Sequence, residues 1–223
     1  MSVTAAGGFT ASGVACGIKP FGALDLAVVA AERPVPGAAE FTVNTAAAAP
    51  VRLSRRHLAV ARVAKAVVIN SGCANAATGA AGDAAALATA AAVSAHLEAE
   101  THEVLVASTG TIGTALPVPE LLSGVADAVA ELGAGDEAGL TAARAIMTTD
   151  SVPKETLAKG DGYVVGGMVK GAGMIRPDMA TMIAVLTTDA VVDAADLDIA
   201  LRSAVDESFH SLNIDGCPST NDT

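Results

Sequence analysis

The eighteen residues from Val165 to Met182 are the part of the chain best furnished for chemistry: Val165-Gly166-Gly167-Met168-Val169-Lys170-Gly171-Ala172-Gly173-Met174-Ile175-Arg176-Pro177-Asp178-Met179-Ala180-Thr181-Met182. Four glycines let backbone approach something closely, a ligand or another strand, and Pro177 fixes the entry into the apolar run that follows. Thr181 opens that run behind the small Ala180. A threonine there has one special use. If the chain is cut before it, the new α-amine, with a reference pKa of about 7.7 to 8.0, lies beside its own hydroxyl and can act as its base. Pattern alone favours the plainer alternative, a β-branched residue in a strand.

Three further segments end apolar runs in small polar residues. Ala107-Ser108-Thr109-Gly110-Thr111-Ile112-Gly113 follows a strand pattern, and a turn at Gly110 can aim successive backbone N–H groups at one spot, as a developing oxyanion requires. Asn70-Ser71-Gly72-Cys73-Ala74-Asn75-Ala76 reads as a turn or the lip of a pocket. Arg144-Ala145-Ile146-Met147-Thr148-Thr149-Asp150-Ser151-Val152-Pro153-Lys154 closes a helix on hydroxyls and charges that either a helix terminus or a polar ligand would use.

The elements that must position these residues are mixed. Strand-length apolar runs occur at Leu26 to Ala30, Ala66 to Asn70, Val104 to Ala107, Tyr163 to Val165, Met182 to Leu186 and Leu212 to Ile214. Helical patterns lie between them. One is capped by Asp83 and reaches about Leu97; another opens at Pro117 and Pro119 and carries Leu121, Leu122, Val125 and Val129 toward Leu132. A third spans Asp136 to Met147. A fourth starts near Asp193, with Asp196 three residues on, and sets Leu197, Leu201, Val205 and Phe209 on one stripe. Gly160-Asp161-Gly162 reads as a tight turn and Gly133 to Gly135 as a loop. The fold class is α/β, with mixed sheets layered against helices.

Composition excludes several functions. The 223 residues hold 51 Ala and 22 Gly, so an apolar share of 52% reflects close packing more than membrane affinity. The uncharged stretch from Ala84 to Leu97 falls short of the roughly 20 apolar residues that span a bilayer, and Met1-Ser2-Val3-Thr4 lacks a basic, then apolar, leader. We expect a cytoplasmic protein without a membrane partner. Thirteen basic and twenty-four acidic residues give a net charge of −11, a field that repels phosphate backbones. With Arg52, Arg55 and Arg56 the one basic cluster, and with few aromatics to stack on bases, nucleic acid is not an expected partner. Cys16, Cys73 and Cys217 are odd in number and widely spaced, and His57, His96, His102 and His210 fit no ligand pattern. Lys170, Gly171 and Gly173 lack the order of a phosphate loop. Buried thiols, no metal and no nucleotide cofactor are the expectation.

Taken together and in order, the four segments resemble the ornithine acetyltransferase family, the bifunctional glutamate N-acetyltransferases of arginine biosynthesis. The resemblance also takes in Gly8-Phe9-Thr10-Ala11-Ser12-Gly13-Val14-Ala15-Cys16-Gly17-Ile18-Lys19, Phe41-Thr42-Val43-Asn44, Ala48-Ala49-Pro50-Val51, Leu186-Thr187-Thr188-Asp189-Ala190, Asp215-Gly216 and Ser219-Thr220-Asn221-Asp222-Thr223. It implies the fold shared by these enzymes and self-processing aminopeptidases. It also implies a precursor that cuts itself between Ala180 and Thr181, giving an α segment of residues 1–180 and the start of a β segment at 181–223. Thr181 is then the nucleophile, moving acetyl from N-acetylornithine to glutamate, with acetyl-CoA a donor for some members and no cofactor held. Thr109 and Gly110 would form the oxyanion hole. Thr148, Lys170 and Thr181 would contact substrate, Lys170 suiting an amino-acid carboxylate or holding a nearby amine neutral. Members assemble as two α and two β chains.

Family members continue beyond Ser219 to Thr223, so the resemblance presents this chain as incomplete, without the acidic and C-terminal polar contacts that members add. The alternative for that polar end is a frayed tail. Cys73 stands where Asn is more usual. A self-processing aminopeptidase or amidase, typically with Ser at the nucleophile position, and a non-catalytic fragment needing a partner chain are the competing readings.

Overall fold

In a computed structural model, the structure describes residues 2–173, 182–216 and 219–223. Two sheets form. The larger has the order β1-β2-β3-β4, from β1 Phe9–Val14, β2 Leu26–Pro36, β3 Val63–Cys73 and β4 Val104–Thr111. The smaller joins β5 Lys154–Lys159, β6 Val164–Lys170 and β7 Ile183–Thr188, antiparallel throughout. In the larger sheet only β3 and β4 run parallel, and the crossover that this demands is supplied by helix α2, Gly79–His96.

Period-two alternation along β2 sorts the core onto two faces. Leu26, Val28 and Ala30 pack with Val68, Val104 and Val106 and with α2 and α3, the latter Val118–Ala130, which contributes Leu121 and Val125. Ala27 and Val29 point the other way with Ile69 and Ala107. They meet Ala142, Ala143 and Ile146 at α4, Asp136–Ala145, and then Met168, Ile183 and Val185 of the smaller sheet. Helix α4 is thus held between two sheets, and alanine and glycine are what let it fit. A methyl on Gly13 of β1 would lie 2.4 Å from the carbonyl oxygen of Thr141 on α4.

The expected mixed α/β class holds, and most of the expected elements form, with differences. Three were not foreseen: β1, β5 and helix α1, Ala49–Ala61. Helix α1 hides behind its arginines, because Arg52, Arg55 and Arg56 form its exposed side while Val51, Leu53, Ser54, His57 and Leu58 are buried. Asp83 is not a cap. The alanine-rich helix starts four residues earlier, at Gly79, and Asp83 pairs instead with Arg52 at 2.5 Å. Leu212 to Ile214 form no strand; both residues are exposed and follow a single 3-10 turn, Phe209–Ser211. Asp193 does cap its helix, α5 Ala194–Asp206, accepting from the amides of Ala195 and Asp196 at 2.9 Å each. Of its apolar stripe Val205 is buried and Leu197, Leu201 and Phe209 half-buried. Gly160 to Gly162 turns β5 into β6, with the Gly160 amide on the Tyr163 carbonyl at 2.9 Å. Residues 219–223 are no frayed tail, since Ser219, Asn221 and Asp222 are buried.

Candidate functional site

Strand β4 does not turn at Gly110 as expected; it runs on to Thr111 with a fault in its pairing to β3 at Gly72 and Cys73. Gly110 makes that fault tolerable. It sits at φ +133°, and a methyl there would lie 2.3 Å from the Gly72 carbonyl carbon. Thr109, just before it, is 3% exposed. Below the fault, Ser108 Oγ donates to Asn70 Oδ1 at 2.6 Å, and Asn70 Nδ2 donates to the Cys73 carbonyl at 2.8 Å. These contacts hold the ends of two parallel strands side by side.

Lys170 closes β6 and is 2% exposed. Its Nζ donates to Thr109 Oγ1 at 3.0 Å, joining the smaller sheet to the end of β4. Lys170 is paired in register with Ile183 at the start of β7. The residue before Ile183, Met182, gives its amide to Asp222 Oδ1 at 3.0 Å, and Thr223 returns an amide to the Met182 carbonyl at 3.3 Å. Asn221 anchors this end, donating through Nδ2 to the carbonyls of Ala74 (2.6 Å) and Ser108 (2.8 Å).

The third arm comes from the end of α4. Lys19 Nζ donates to the carbonyls of Met147 (2.6 Å), Leu24 (2.8 Å) and Ala145 (3.4 Å), a cation where a helix C-terminus favours one. Asp150, whose side chain is 1% exposed, accepts from the amides of Gly171 at 2.8 Å and Thr148 at 3.2 Å and pairs with Lys154. Lys154 also donates to the Gly171 carbonyl at 3.1 Å. Thr148 is half-buried, and Asp150 ties its backbone to the residue after Lys170.

The charges shape one another. Burial lowers the Lys170 ammonium below the usual lysine range, opposed by Asp150 and Asp222 and reinforced by Lys154 and Lys19. Burial raises Asp222 to about 7, against the pull of a Ser219 hydrogen bond, the Met182 amide and Lys170. Asp150 also feels burial, but Lys154 and the two amides prevail and hold it below the ordinary carboxylate value. Cys16 is only half-buried, not buried as expected, yet burial and the neighbouring Asp25 push its thiol up to about 12, which makes it a poor nucleophile. Cys73 is buried.

Of the residues singled out in the sequence, Thr109, Gly110 and Lys170 come together, and Thr148 is linked to them through Asp150. Ala180, Thr181 and Cys217 lie outside the described residues. Among the described residues no group of three His, Cys, Asp or Glu side chains is placed to hold a metal ion, and no helix is long and apolar enough to cross a membrane. Two surface clefts, one lined by Cys16, Glu120 and Asp127 and one by Phe41, Arg55 and Arg202, include none of the cluster. Asp150 stood in the sequence only as one charge of the segment 144–154, and Asn221 and Asp222 only as part of a polar run, none with a role of its own. The usable hint was a run of polar residues, 219–223, adjoining small ones.

The sequence model of the ArgJ family matches residues 10–223. The chain is 51% identical to the arginine biosynthesis bifunctional protein ArgJ of Thermobifida fusca over 100% of its own length and 58% of that protein's. It is 53% identical to the protein of the same name from Mycobacterium tuberculosis, over 99% of this chain and 56% of that one. It therefore spans little more than half the length of these curated relatives. A solved structure of ArgJ from Bacillus halodurans superposes with a TM-score of 0.76 at 37% identity, covering 81% of this chain and 95% of the other. Ornithine acetyltransferase from Mycobacterium tuberculosis, solved with ornithine, gives 0.72 at 47% identity, with coverages of 83% and 96%.

Proposed function

The chain belongs to the ArgJ family, and from that premise we propose that it forms the nucleophile-bearing part of an acetyltransferase that moves acetyl from N-acetylornithine to glutamate. In this reading Thr181 Oγ attacks the Ala180 carbonyl, the acyl group shifts from nitrogen to oxygen, and water hydrolyses the ester. The products are the Ala180 carboxylate and a Thr181 with a free α-amine. That amine then takes the hydroxyl proton as Thr181 attacks the acetyl carbon of N-acetylornithine; ornithine leaves with the proton, and the α-amine of glutamate collects the acetyl group from the Thr181 ester. Thr109 and Gly110 stabilise the oxyanion in each step, and Thr148 and Lys170 stand on the substrate side.

The observation that carries this reading is the buried Lys170–Thr109 hydrogen bond, 3.0 Å long, because it brings the end of β4 to the strand pair whose second member begins two residues after Thr181. A cut before Thr181 divides residues 1–180 from 181–223 and leaves β6 and β7 on different chains. Six register pairs, from Val165 with Thr188 to Lys170 with Ile183, join them. The two segments stay associated without the covalent bond, in keeping with an assembly of two α and two β chains in the cytoplasm. No resident cofactor enters the scheme, and acetyl-CoA is a second donor to assay.

The test is the denatured mass of the complete encoded protein beside Thr181→Ala, together with acetyl transfer from N-acetylornithine to glutamate and hydrolysis of amino-acid amides. A break before Thr181 that the variant abolishes, with acetyl transfer, supports the reading. An uncut protein, or amide hydrolysis without transfer, ends it.

A further inference from the structure

The hydrogen bond between Lys170 and Thr109 has a direction with consequences. A lysine ammonium carries three N–H donors and no acceptor, so Thr109 Oγ1 accepts at 3.0 Å and the hydroxyl's own proton must point elsewhere. Among the described residues the Thr109 hydroxyl donates to nothing. Both side chains are nearly sealed from solvent, at 2% and 3% exposure, so the ammonium acts on the hydroxyl in a poorly screening environment. Burial is the largest influence and weighs against its charge, which neighbouring groups then adjust from several elements. Asp150 from the segment after α4 and Asp222 from the C-terminal stretch favour the protonated form, while Lys154 of β5 and Lys19 oppose it.

We propose that Lys170 is a positioning residue that works through Thr109, holding the Thr109 hydroxyl as an outward hydrogen-bond donor to the developing oxyanion, rather than a binding group for the substrate carboxylate. The proposal rests on the acetyl-transfer reading and sharpens it. Nζ spends a donor on Oγ1, the Thr109 proton is thereby turned toward the reacting carbonyl, and the adjacent positive charge makes the hydroxyl a stronger donor. The ammonium gives up no proton in this role.

The experiment is a double-mutant cycle on kcat and KM for acetyl transfer in the complete encoded protein, using Thr109→Ala, Lys170→Met and the pair. Removing one oxyanion donor lowers kcat by about 10²- to 10³-fold. Lys170→Met is expected to fall within that range with KM for N-acetylornithine changed less than about threefold. The double variant is expected to be no slower than the slower single, since two residues acting as one unit are not additive. Thr109→Ser, which keeps the hydroxyl, should recover most of kcat. A Lys170→Met protein with a large rise in KM and unchanged kcat, or losses that multiply in the double variant, overturns the proposal. If Lys170→Met fails to fold, Lys170→Leu, which likewise has no donor, is read by the same criteria. A wild-type protein that neither cuts before Thr181 nor transfers acetyl sinks the underlying reading, whereas an active wild type with multiplying losses sinks only the role given to Lys170.

Discussion

Asp222 and Met182 are joined side chain to backbone: Asp222 Oδ1 accepts the Met182 amide at 3.0 Å, and the buried Asp222 Oδ2 has no hydrogen-bond partner among the described residues. A carboxyl placed this way is costly to ionise, which is why burial raises it to about 7. In the unfolded chain it returns to about 3.9. Between those two values the folded protein keeps a proton that the unfolded chain has released. This contribution to stability is complete below about pH 4 and is lost as pH rises through about 7.

The thermal midpoint is therefore expected to fall from pH 5 to pH 7.5. Asp222→Asn keeps an oxygen for the Met182 amide but cannot ionise, so it should flatten the decline and be more stable than the wild type at pH 7.5. Melting both proteins across that range checks this, and parallel declines would show that Asp222 is not the titrating group.

Gly110 is irreplaceable for two separate reasons, its φ of +133° and the Gly72 backbone 2.3 Å from where a methyl would sit. Gly110→Ala should cost about 3 kcal/mol or more, because strands must separate as well as strain be absorbed. Gly113, at φ +80° with open space around it, separates the two effects. Gly113→Ala should lose only about 1–2 kcal/mol, the conformational part alone. Denaturant midpoints of the two variants measure the difference, and equal losses would mean the close approach costs nothing.

Asn221 is a structural pin between segments far apart in sequence. Its amide satisfies the buried carbonyls of Ala74 and Ser108 at once, the second next to Thr109. Asn221→Ala leaves both without this donor and should destabilise by about 2–4 kcal/mol. Asn221→Asp should do no better, since a carboxylate offers those oxygens no donor. A denaturant titration in which either variant matches the wild type would contradict this.

Much of this architecture was legible in the sequence where one periodicity ruled. The runs at Leu26, Ala66 and Val104 became β2, β3 and β4 because alternating apolar residues face cores on both sides of the sheet, and Asp193 capped its helix as its type dictates. Helix α1 was not legible, since Arg52, Arg55 and Arg56 masked a buried face built partly from Ser54 and His57. Ser54 Oγ donates to the Val106 carbonyl at 2.7 Å, and His57 Nδ1 lies 2.8 Å from the Val104 carbonyl, contacts that no hydropathy pattern reports. Strand β5, Lys154-Glu155-Thr156-Leu157-Ala158-Lys159, is a polar edge strand and carries almost no apolar signal. At the site, Thr109, Gly110 and Lys170 were visible as unusual residues in glycine-rich segments. The individual roles of Asp150, Asn221 and Asp222 were not, because they consist largely of bonds to backbone that only the fold brings near.

Asp150 supplies the last prediction, because it unites the backbone of Thr148, the amide of Gly171 and the ammonium of Lys154 on one side chain that is 1% exposed. Lys154 is 40% exposed, so the two partners are unequal. Asp150→Ala strands two amides and a cation and should cost about 3 kcal/mol or more. Lys154→Met leaves that buried carboxylate its two amides but not its cation and should cost less, about 1–3 kcal/mol. Asp150 is also a carboxylate that favours the charged form of Lys170, so in the proposed acetyl transfer by the complete encoded protein Asp150→Ala should lower kcat as well, while Lys154→Met should not. Unfolding curves and initial rates on the two variants decide the matter; a Lys154→Met protein as impaired as Asp150→Ala would mean that the ion pair, and not the carboxylate's hold on the two amides, organises this corner of the site.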